Sequence, residues 1–185
     1  MKRLALPVLL AGAGVLAGCA ANTGTHVRPE PTYEEAKSSL FVAHNRDAIT
    51  ALLSGLDMKK IAETPLLVAT VVNVNDLRKT APLGRTLSEQ YASQLANQGL
   101  LVKELKLRGD IYVREETGEL MLSRELKDIA KVHSAGLVVV GTYSAAVNAT
   151  FVSLKLVKTD TGQIIKGHDY ALPNNADVNR LLTVK

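Results

Sequence analysis

The sequence predicts an α/β fold in which helices pack on a mixed sheet. Two apolar segments rich in β-branched residues, 66–74 and 137–143, have the length and composition of buried strands. Segments with helical spacing lie before the first of them and between the two. Beyond residue 143 apolar residues recur at every second position, which is typical of antiparallel hairpins. The predicted order is helix, strand, helix, strand, helix, followed by antiparallel C-terminal hairpins, with the two most apolar strands in the centre of the sheet.

The first helix is predicted to begin at a capping box, in which Thr32 is followed three residues later by Glu35. Gly55 or Asp57 is expected to end it. Between these limits apolar residues fall on one broad face at helical spacing. They are Leu40, Phe41, Ala48, Ile49, Leu52, Leu53 and Leu56.

The second helix is indicated by side chains that recur every four positions, and Gly99 is expected to end it. These side chains are Leu83, Leu87, Tyr91 and Leu95. Residues 101–107 then alternate apolar and polar side chains, which is the pattern of a half-exposed strand. The charged stretch 108–122 is predicted to be a loop with short extended pieces.

The third helix is predicted to start with Ser123 as its N-cap and to end at Gly136. Its apolar face carries Leu126, Ile129, Ala130 and His133. After strand 137–143 the chain is expected to form hairpins, with a turn at 160–162 and a last strand at 163–172. These amphipathic strands are expected toward an edge of the sheet.

The start of the chain has the order of features found in bacterial lipoprotein signals. Lys2 and Arg3 precede an apolar run at 4–16, which is shorter than the roughly 20 residues of a membrane-spanning helix and fits the apolar region of a secretory signal. Residues 16–19, Leu-Ala-Gly-Cys, resemble the lipobox. The resemblance implies cleavage before Cys19 and covalent attachment of lipid to its thiol. A plain signal peptide with an incidental cysteine is the alternative.

Three segments follow from this pattern: a signal peptide at 1–18, a lipidated tether at 19–31 and a single α/β domain at 32–185. The tether is short and polar, and it spans about 35–40 Å when extended. Ala20 stands where an aspartate would retain such a protein in the inner membrane. The resemblance therefore implies an outer-membrane protein, anchored by its lipid, whose domain faces the periplasm.

Composition narrows the possible functions. The chain has 22 basic and 18 acidic residues, and loss of Lys2 and Arg3 with the signal lowers the formal net charge from +4 to +2. Because no basic cluster is present and aromatic residues make up 4% of the chain, nucleic-acid binding is not expected. The single cysteine, Cys19, is assigned to the lipid, so the core must form without disulfides.

Patterns for catalysis or metal binding are weak. Asp160-Thr161-Gly162 matches the tripeptide of aspartic proteases, but one copy supplies only one of the two carboxylates that this chemistry needs, and a hairpin turn explains it. The four histidines show no metal-ligand spacing. The sequence contains no G-x-S-x-G, P-loop or H-E-x-x-H pattern. We therefore expect no enzyme activity, no metal, no small-molecule substrate and no cofactor other than the covalent lipid on Cys19.

The charged stretch is the strongest candidate for a contact with a partner protein. Arg108, Asp110, Tyr112 and Arg114 lie close together in it. Tyrosine and arginine are frequent at the hot spots of protein interfaces. We predict that these four residues bind a partner. A solvated loop with one hydrophobic plug is the alternative.

Several short motifs resemble the FlgO family of flagellum-associated outer-membrane lipoproteins. They are Pro-Leu-Gly-Arg at 82–85, Leu-Arg-Gly-Asp-Ile-Tyr at 107–112 and Gly-Thr-Tyr at 141–143, and the similarity extends over about 66–173. The resemblance implies a non-enzymatic protein that supports flagellar assembly, stability and motility around the base of the rod and hook. It also implies an α/β fold like that of other periplasmic partner domains.

Two functions are compatible with an anchored domain of this kind. The first is a structural assembly protein that joins a ring at the flagellar base, with basal-body or ring proteins and further copies of itself as partners. The second is a periplasmic regulatory lipoprotein that binds a cell-wall synthase or another envelope machine. The short tether at 19–31 favours the first, because a docking regulator needs a long tether to reach across the periplasm.

Overall fold

The computed structural model describes residues 32–34, 39–75, 77, 80–104, 113–116, 119–122 and 124–183. The described residues from Tyr33 onward belong to one compact unit. Its elements, in chain order, are α1 (Leu40–Leu53), α2 (Met58–Ala62), β1 (Leu66–Val68), β2 (Val72–Asn73), α3 (Pro82–Asn97), β3 (Val102–Glu104), β4 (Val113–Glu116), β5 (Glu119–Leu122), α4 (Arg124–Val132), β6 (Leu137–Ala145), β7 (Ala149–Lys158), β8 (Ile164–Pro173) and α5 (Ala176–Leu182). The α/β class predicted from the sequence is confirmed.

In the described part of the chain, six strands form one mixed sheet. Its order is β3-β1-β6-β7-β8, and the short β2 pairs with β6 beyond the end of β1. β1 runs parallel to both of its neighbours, with Leu67 opposite Lys103 on one side and Val138 on the other. β6, β7 and β8 are antiparallel, which confirms the predicted C-terminal hairpins. The two apolar runs lie inside the sheet and the amphipathic β8 lies at its edge, also as predicted.

The sheet has two unequal faces. Helices α1 and α3 cover one face and form the main core with it, and its fully buried members include Leu52, Leu66, Leu87, Leu95, Leu154 and Leu156. On the other face a smaller core joins Leu67, Val138 and Val157 to Ala130 of α4. Full burial of each large side chain stabilises the fold by about 1.5–3 kcal/mol. Farther along β7 this second face is open, and Phe151 is 56% exposed there.

The first helix starts later than predicted. Ser39, not Thr32, is the N-cap of α1, and its hydroxyl accepts a hydrogen bond from the Val42 amide at 3.4 Å. Residues 33–34 are helical, but Glu35 of the predicted capping box lies outside the described residues. The prediction therefore placed the start of α1 at Thr32, seven residues before its N-cap, Ser39.

Gly55 has a φ of 77° and follows the end of α1, as predicted. Asp57 has a different role from the one expected. Its carboxylate accepts a hydrogen bond from the Lys60 amide at 3.4 Å and caps α2, a short helix that the sequence did not predict.

The predicted strand at 66–74 is interrupted between β1 and β2. At the break, the Val71 amide donates to the Ser88 hydroxyl at 2.9 Å, and the Val71 carbonyl accepts from the Thr80 hydroxyl at 2.7 Å. Two side chains thus replace the ladder bonds of the strand. A Cβ on Gly84 would lie 2.0 Å from the Val71 carbonyl oxygen, so this approach of α3 to the strand requires glycine.

Ser134, not Gly136, ends the third predicted helix, α4. Ser134 has a φ of 50°, and the amides of Ser134 and Ala135 donate back to the last helical turn at 3.0 and 2.8 Å. This is the Schellman arrangement, in which glycine is the usual residue at the left-handed position. Gly136 is small for a different reason, because a Cβ there would lie 2.7 Å from Thr64 Cγ2. His133 lies one residue beyond the helix rather than on its face.

The short extended pieces predicted in the charged stretch are present as β4 and β5. β4 and β5 form an antiparallel hairpin in which Arg114 is opposite Met121. The predicted N-cap Ser123 lies outside the described residues. The turn at 160–162 is confirmed, with Gly162 at a φ of 75°.

The chain ends in a helix that the sequence did not predict. Asn175 caps α5 by accepting a hydrogen bond from the Val178 amide at 2.9 Å, and Val178 is buried. Leu181 and Leu182 pack against the main core. Helix α5 therefore belongs to the same layer as α1 and α3.

Candidate functional site

The residues predicted to carry function fall mainly outside the described part of the chain. Cys19 and the whole of 1–31 lie there, as do Arg108, Asp110 and Tyr112. Arg114 is placed in β4, and its side chain is not described. Lipid attachment at Cys19 and partner binding by the four residues of the charged stretch therefore stay predictions. The structure adds that Arg114 belongs to a paired strand.

Side chains able to act as acids, bases or metal ligands are scattered over the described residues. These residues hold no group of three or more His, Cys, Asp or Glu side chains that could bind a metal ion. Asp160 of the protease-like tripeptide accepts a hydrogen bond from the Thr161 amide at 2.7 Å, which is the local bond of a turn. Among the described residues, no helix has both the length and the apolar composition needed to cross a membrane.

A buried polar network joins both helices of the main core to the edge strand. The Tyr170 hydroxyl on β8 donates to Asn45 Oδ1 at 2.6 Å, and Asn45 Nδ2 donates to Gln90 Oε1 at 2.6 Å. The Tyr91 and Tyr170 hydroxyls are also hydrogen bonded to each other. Because the single hydroxyl proton of Tyr170 goes to Asn45, Tyr91 is the donor to Tyr170. The network ties α1, α3 and β8 together.

The two tyrosines of this network stay neutral. Burial raises the pKa of Tyr91 well above its ordinary value, and the neighbouring Tyr170 raises it further. Burial likewise raises the pKa of Tyr170. Asn45 and Tyr91 are completely shielded from solvent. The hydrogen bonds of these neutral phenols position α1 and α3 against β8.

The outer part of the second sheet face forms a shallow groove, which we call the open face. The groove has a volume of about 560 Å³ and is lined by Val74, Thr142, Ser144, Phe151, Val152, Ser153, Asp169, Tyr170 and Ala171. Thr142, Ser153 and Asp169 lie opposite one another on three adjacent strands. Phe151 adds an exposed aromatic ring beside this polar row. An aromatic ring flanked by small and polar residues is a surface suited to binding a partner.

The open face was not predicted as a site. Its signal in the sequence is Phe151, which stands on the polar side of the alternating strand whose apolar side is Val152, Leu154 and Leu156. A large apolar side chain on that side must either be covered by another element or stay exposed. Sequence alone did not decide between these outcomes, because the cover on this face depends on where α4 packs.

Comparison with protein families gives a match over most of the described elements. The family model described as FlgO protein matches residues 46–177. The matched segment runs from α1 into α5 and contains every strand of the sheet described above. A search of curated proteins gives no match.

Several solved structures have a similar chain path. The LpoB C-terminal domain from Escherichia coli is 19% identical, with a TM-score of 0.49, 72% of this chain covered and 98% of that chain. The LpoB C-terminal domain from Salmonella enterica is 20% identical, with a TM-score of 0.46 and coverage of 69% and 94%. The PelC dodecamer from Paraburkholderia phytofirmans is 12% identical, with a TM-score of 0.41 and coverage of 60% and 71%.

Proposed function

The chain belongs to the FlgO family, and from this we propose that it is an envelope lipoprotein that supports the assembly and stability of the flagellum as a lipid-anchored, partner-binding domain at the outer membrane. In this proposal the domain faces the periplasm and contributes to a ring at the flagellar base. It acts by binding and not by catalysis.

The family match is the observation that carries the proposal. The match covers residues 46–177, which include the main core and the whole sheet. Two of the family-like motifs have structural roles: Gly84 allows α3 to approach the break in the strand, and the Tyr143 hydroxyl accepts a hydrogen bond from the Ala81 amide at 2.9 Å. Because these motifs build the framework, the specific function is assigned to surfaces and to the anchor.

The anchor in this proposal is Cys19. A single acyl chain gives only marginal membrane binding, whereas the multiple chains expected on a lipoprotein cysteine hold a domain permanently. The tether at 19–31 keeps the domain within about 40 Å of its attachment point. A partner bound by this domain must therefore lie close to the membrane.

The partner surfaces in this proposal are the open face and the charged hairpin, which we define as the charged stretch 108–122 with its strands β4 and β5. The charged stretch contributes Arg108, Asp110 and Tyr112, which precede β4 in the sequence, and Arg114 within β4. The open face offers Phe151 and a row of small polar side chains.

Swimming in soft agar tests the proposal. A strain deleted for this chain should form a smaller halo than its parent, and a plasmid carrying the wild-type chain should restore it. Cryo-tomography of the basal body should then show ring density that is absent from the deletion strain. A deletion strain with a normal halo and normal basal bodies would contradict the flagellar role, and a cell-wall synthesis assay would then test the regulatory alternative.

A further inference from the structure

Exposed apolar side chains gather at one end of the sheet. We define the hairpin tip as residues 145–151, which include the turn between β6 and β7. Val147 in this turn is 91% exposed and Phe151 is 56% exposed. Val74, 47% exposed, lies at the same end, because its amide donates to the Tyr143 carbonyl at 2.9 Å. All three side chains keep about half or more of their surface exposed.

The turn that presents Val147 is held firmly by the protein. The Asn174 side-chain amide donates to the carbonyls of Ala146 and Val147 at 2.7 and 3.3 Å, and the Asn174 backbone amide donates to the Asn148 carbonyl at 3.0 Å. The Ala146 amide in turn donates to the Ala149 carbonyl at 2.9 Å.

Four consecutive carbonyls, those of residues 146–149, are thus satisfied without water. Moving a carbonyl without a hydrogen bond from water into an apolar medium costs free energy, and the hydrogen bonds of these four carbonyls remove that cost. Residues 145–151, Ala-Ala-Val-Asn-Ala-Thr-Phe, also carry no charge. The tip can therefore leave water without desolvating a charged group.

Helix α1 begins at this same end of the sheet. Asn45, near the start of α1, accepts a hydrogen bond from the Tyr170 hydroxyl of β8. Tyr170 lies three residues before Pro173, the last residue of β8, which is beside the tip, so the distance along the strand is about 10 Å. The buried residues of α1 begin at Asn45 and continue to Leu53, so the helix lies over the sheet from Asn45 onward.

After Leu53 the chain runs through α2 to β1, whose first residue Leu66 pairs with Leu137 at the end of the sheet away from the tip. The first turn of α1, about 8 Å before Asn45 along the helix axis, therefore lies on the side of the tip. Leu40 in that turn is 68% exposed.

We propose that the hairpin tip contacts the phospholipid surface of the membrane that holds the anchor, with Val147 at the boundary between headgroups and acyl chains. This inference rests on the proposed lipid attachment at Cys19, because the tether precedes α1 in the sequence and α1 begins at the end of the sheet where the tip lies. An interfacial apolar surface beside a lipid anchor is a second membrane signal. Its effect is to fix the orientation of the domain, so that the opposite end of the sheet faces the periplasm.

A fluorescence measurement on the full acylated chain tests this contact. The protein is purified from membranes and reconstituted into phosphatidylethanolamine–phosphatidylcholine vesicles with or without bromine on the acyl chains. Val147→Cys carries an environment-sensitive fluorophore. The matched control is Val132→Cys, since Val132 is 81% exposed and ends α4, just before β6 begins at the opposite end of the sheet.

We expect the probe at Val147→Cys to emit at shorter wavelength and to be quenched by the brominated chains, and the probe at Val132→Cys to do neither. Equal emission and equal quenching at the two positions would overturn the proposal. A shift to shorter wavelength without quenching would also overturn it, because the tip would then be covered by a second copy of the chain. Labelling of the wild-type chain would mean a free Cys19 thiol and would overturn the anchor itself, so the two failures are distinguishable.

Discussion

The Ser88 hydroxyl accepts a hydrogen bond from the Val71 amide at 2.9 Å and joins α3 to the break between β1 and β2. The same hydroxyl donates to the Gly84 carbonyl at 2.8 Å within the helix. The Ser88 side chain thus supplies a hydrogen-bond partner to the Val71 amide, which has no partner in a neighbouring strand, and holds α3 against this segment. This junction lies beside the Pro-Leu-Gly-Arg motif, so the motif's role is to build the framework.

Removing this hydroxyl should destabilise the domain. Ser88→Ala leaves the buried Val71 amide without a partner, and we expect the free energy of unfolding to fall by about 1–3 kcal/mol. Urea unfolding followed by circular dichroism measures it. The matched control is Ser93→Ala on the same helix, where the exposed hydroxyl only donates to the Glu89 carbonyl; a loss equal to that of Ser88→Ala would show that the bond to Val71 has no special role.

The close approach at Gly84 should not tolerate a methyl group. In Gly84→Ala the new Cβ would lie 2.0 Å from the Val71 oxygen and 2.2 Å from Thr80 Oγ1, and we expect a loss of about 1–3 kcal/mol or more in unfolding free energy. Gly167→Ala is the control, because its Cβ would meet the Leu154 carbonyl at an ordinary 3.6 Å. Thermal unfolding midpoints compare the two, and similar midpoints would refute the packing argument.

The tyrosine network predicts a pH dependence. Because the pKa values of Tyr91 and Tyr170 are raised above the ordinary 10.0 in the folded state, their contribution to stability is complete below about pH 10. It is lost as pH rises toward the raised values, since the unfolded chain releases these protons first. We expect Tyr170→Phe to lower the unfolding free energy by about 1–3 kcal/mol at neutral pH and to flatten its decline above pH 10.

Urea midpoints between neutral and alkaline pH measure both effects. Tyr33→Phe is the control, because Tyr33 is 77% exposed and removal of its hydroxyl should change neither quantity. If Tyr170→Phe and the wild type declined in parallel above pH 10, the raised pKa values would not contribute to stability.

The left-handed residue at the end of α4 offers a stabilising change. Ser134 has a φ of 50°, which glycine adopts without the steric cost of a Cβ. We expect Ser134→Gly to raise the unfolding free energy by about 0.5–1 kcal/mol. Ser54→Gly is the control, since Ser54 has a φ of −58° and glycine there should only lower stability. A lower melting temperature for Ser134→Gly would contradict the prediction.

The charged hairpin predicts a loss of function without a loss of stability. Alanine at Arg108, Asp110, Tyr112 and Arg114 together should reduce the swimming halo, because interface hot spots each contribute more than about 1 kcal/mol to binding. The thermal unfolding midpoint should stay unchanged.

The matched control replaces Arg46 and Asp47, an exposed pair 3.6 Å apart on α1, by alanine. Exposed pairs of this kind contribute little to stability. A full halo for the four-residue variant, at normal expression, would remove the hairpin from the list of partner surfaces.

The strands of the sheet were predictable where the physical cause is local. The runs at 66–74 and 137–143 carry β-branched residues and lie inside the sheet, as their composition indicates. The break at Val71 was not predictable, because it depends on hydroxyls from Thr80 and Ser88 that approach only after folding. Strand propensity depends on the residues of the segment itself and cannot account for hydrogen-bond partners from elsewhere in the chain.

The ends of helices were likewise predictable where the cause is local and not where it depends on a tertiary contact. Gly55 and Gly99 have positive φ angles and follow the helices that they were predicted to end. The prediction that Gly136 ends α4 was wrong. Ser134 holds the left-handed position, and Gly136 is small because a Cβ there would be too close to Thr64. The open face and the hairpin tip were not predicted either, since exposure of Phe151 depends on the extent of α4 and no pattern within β7 determines that.

The most direct test of the central claim is the swimming halo of the deletion strain carrying Cys19→Ser at the wild-type level of expression. If the domain works as an anchored part of the flagellar base, this strain should swim no better than the deletion strain, while the wild-type chain restores the halo. A full halo with Cys19→Ser, with the protein still in the outer-membrane fraction, would contradict the account.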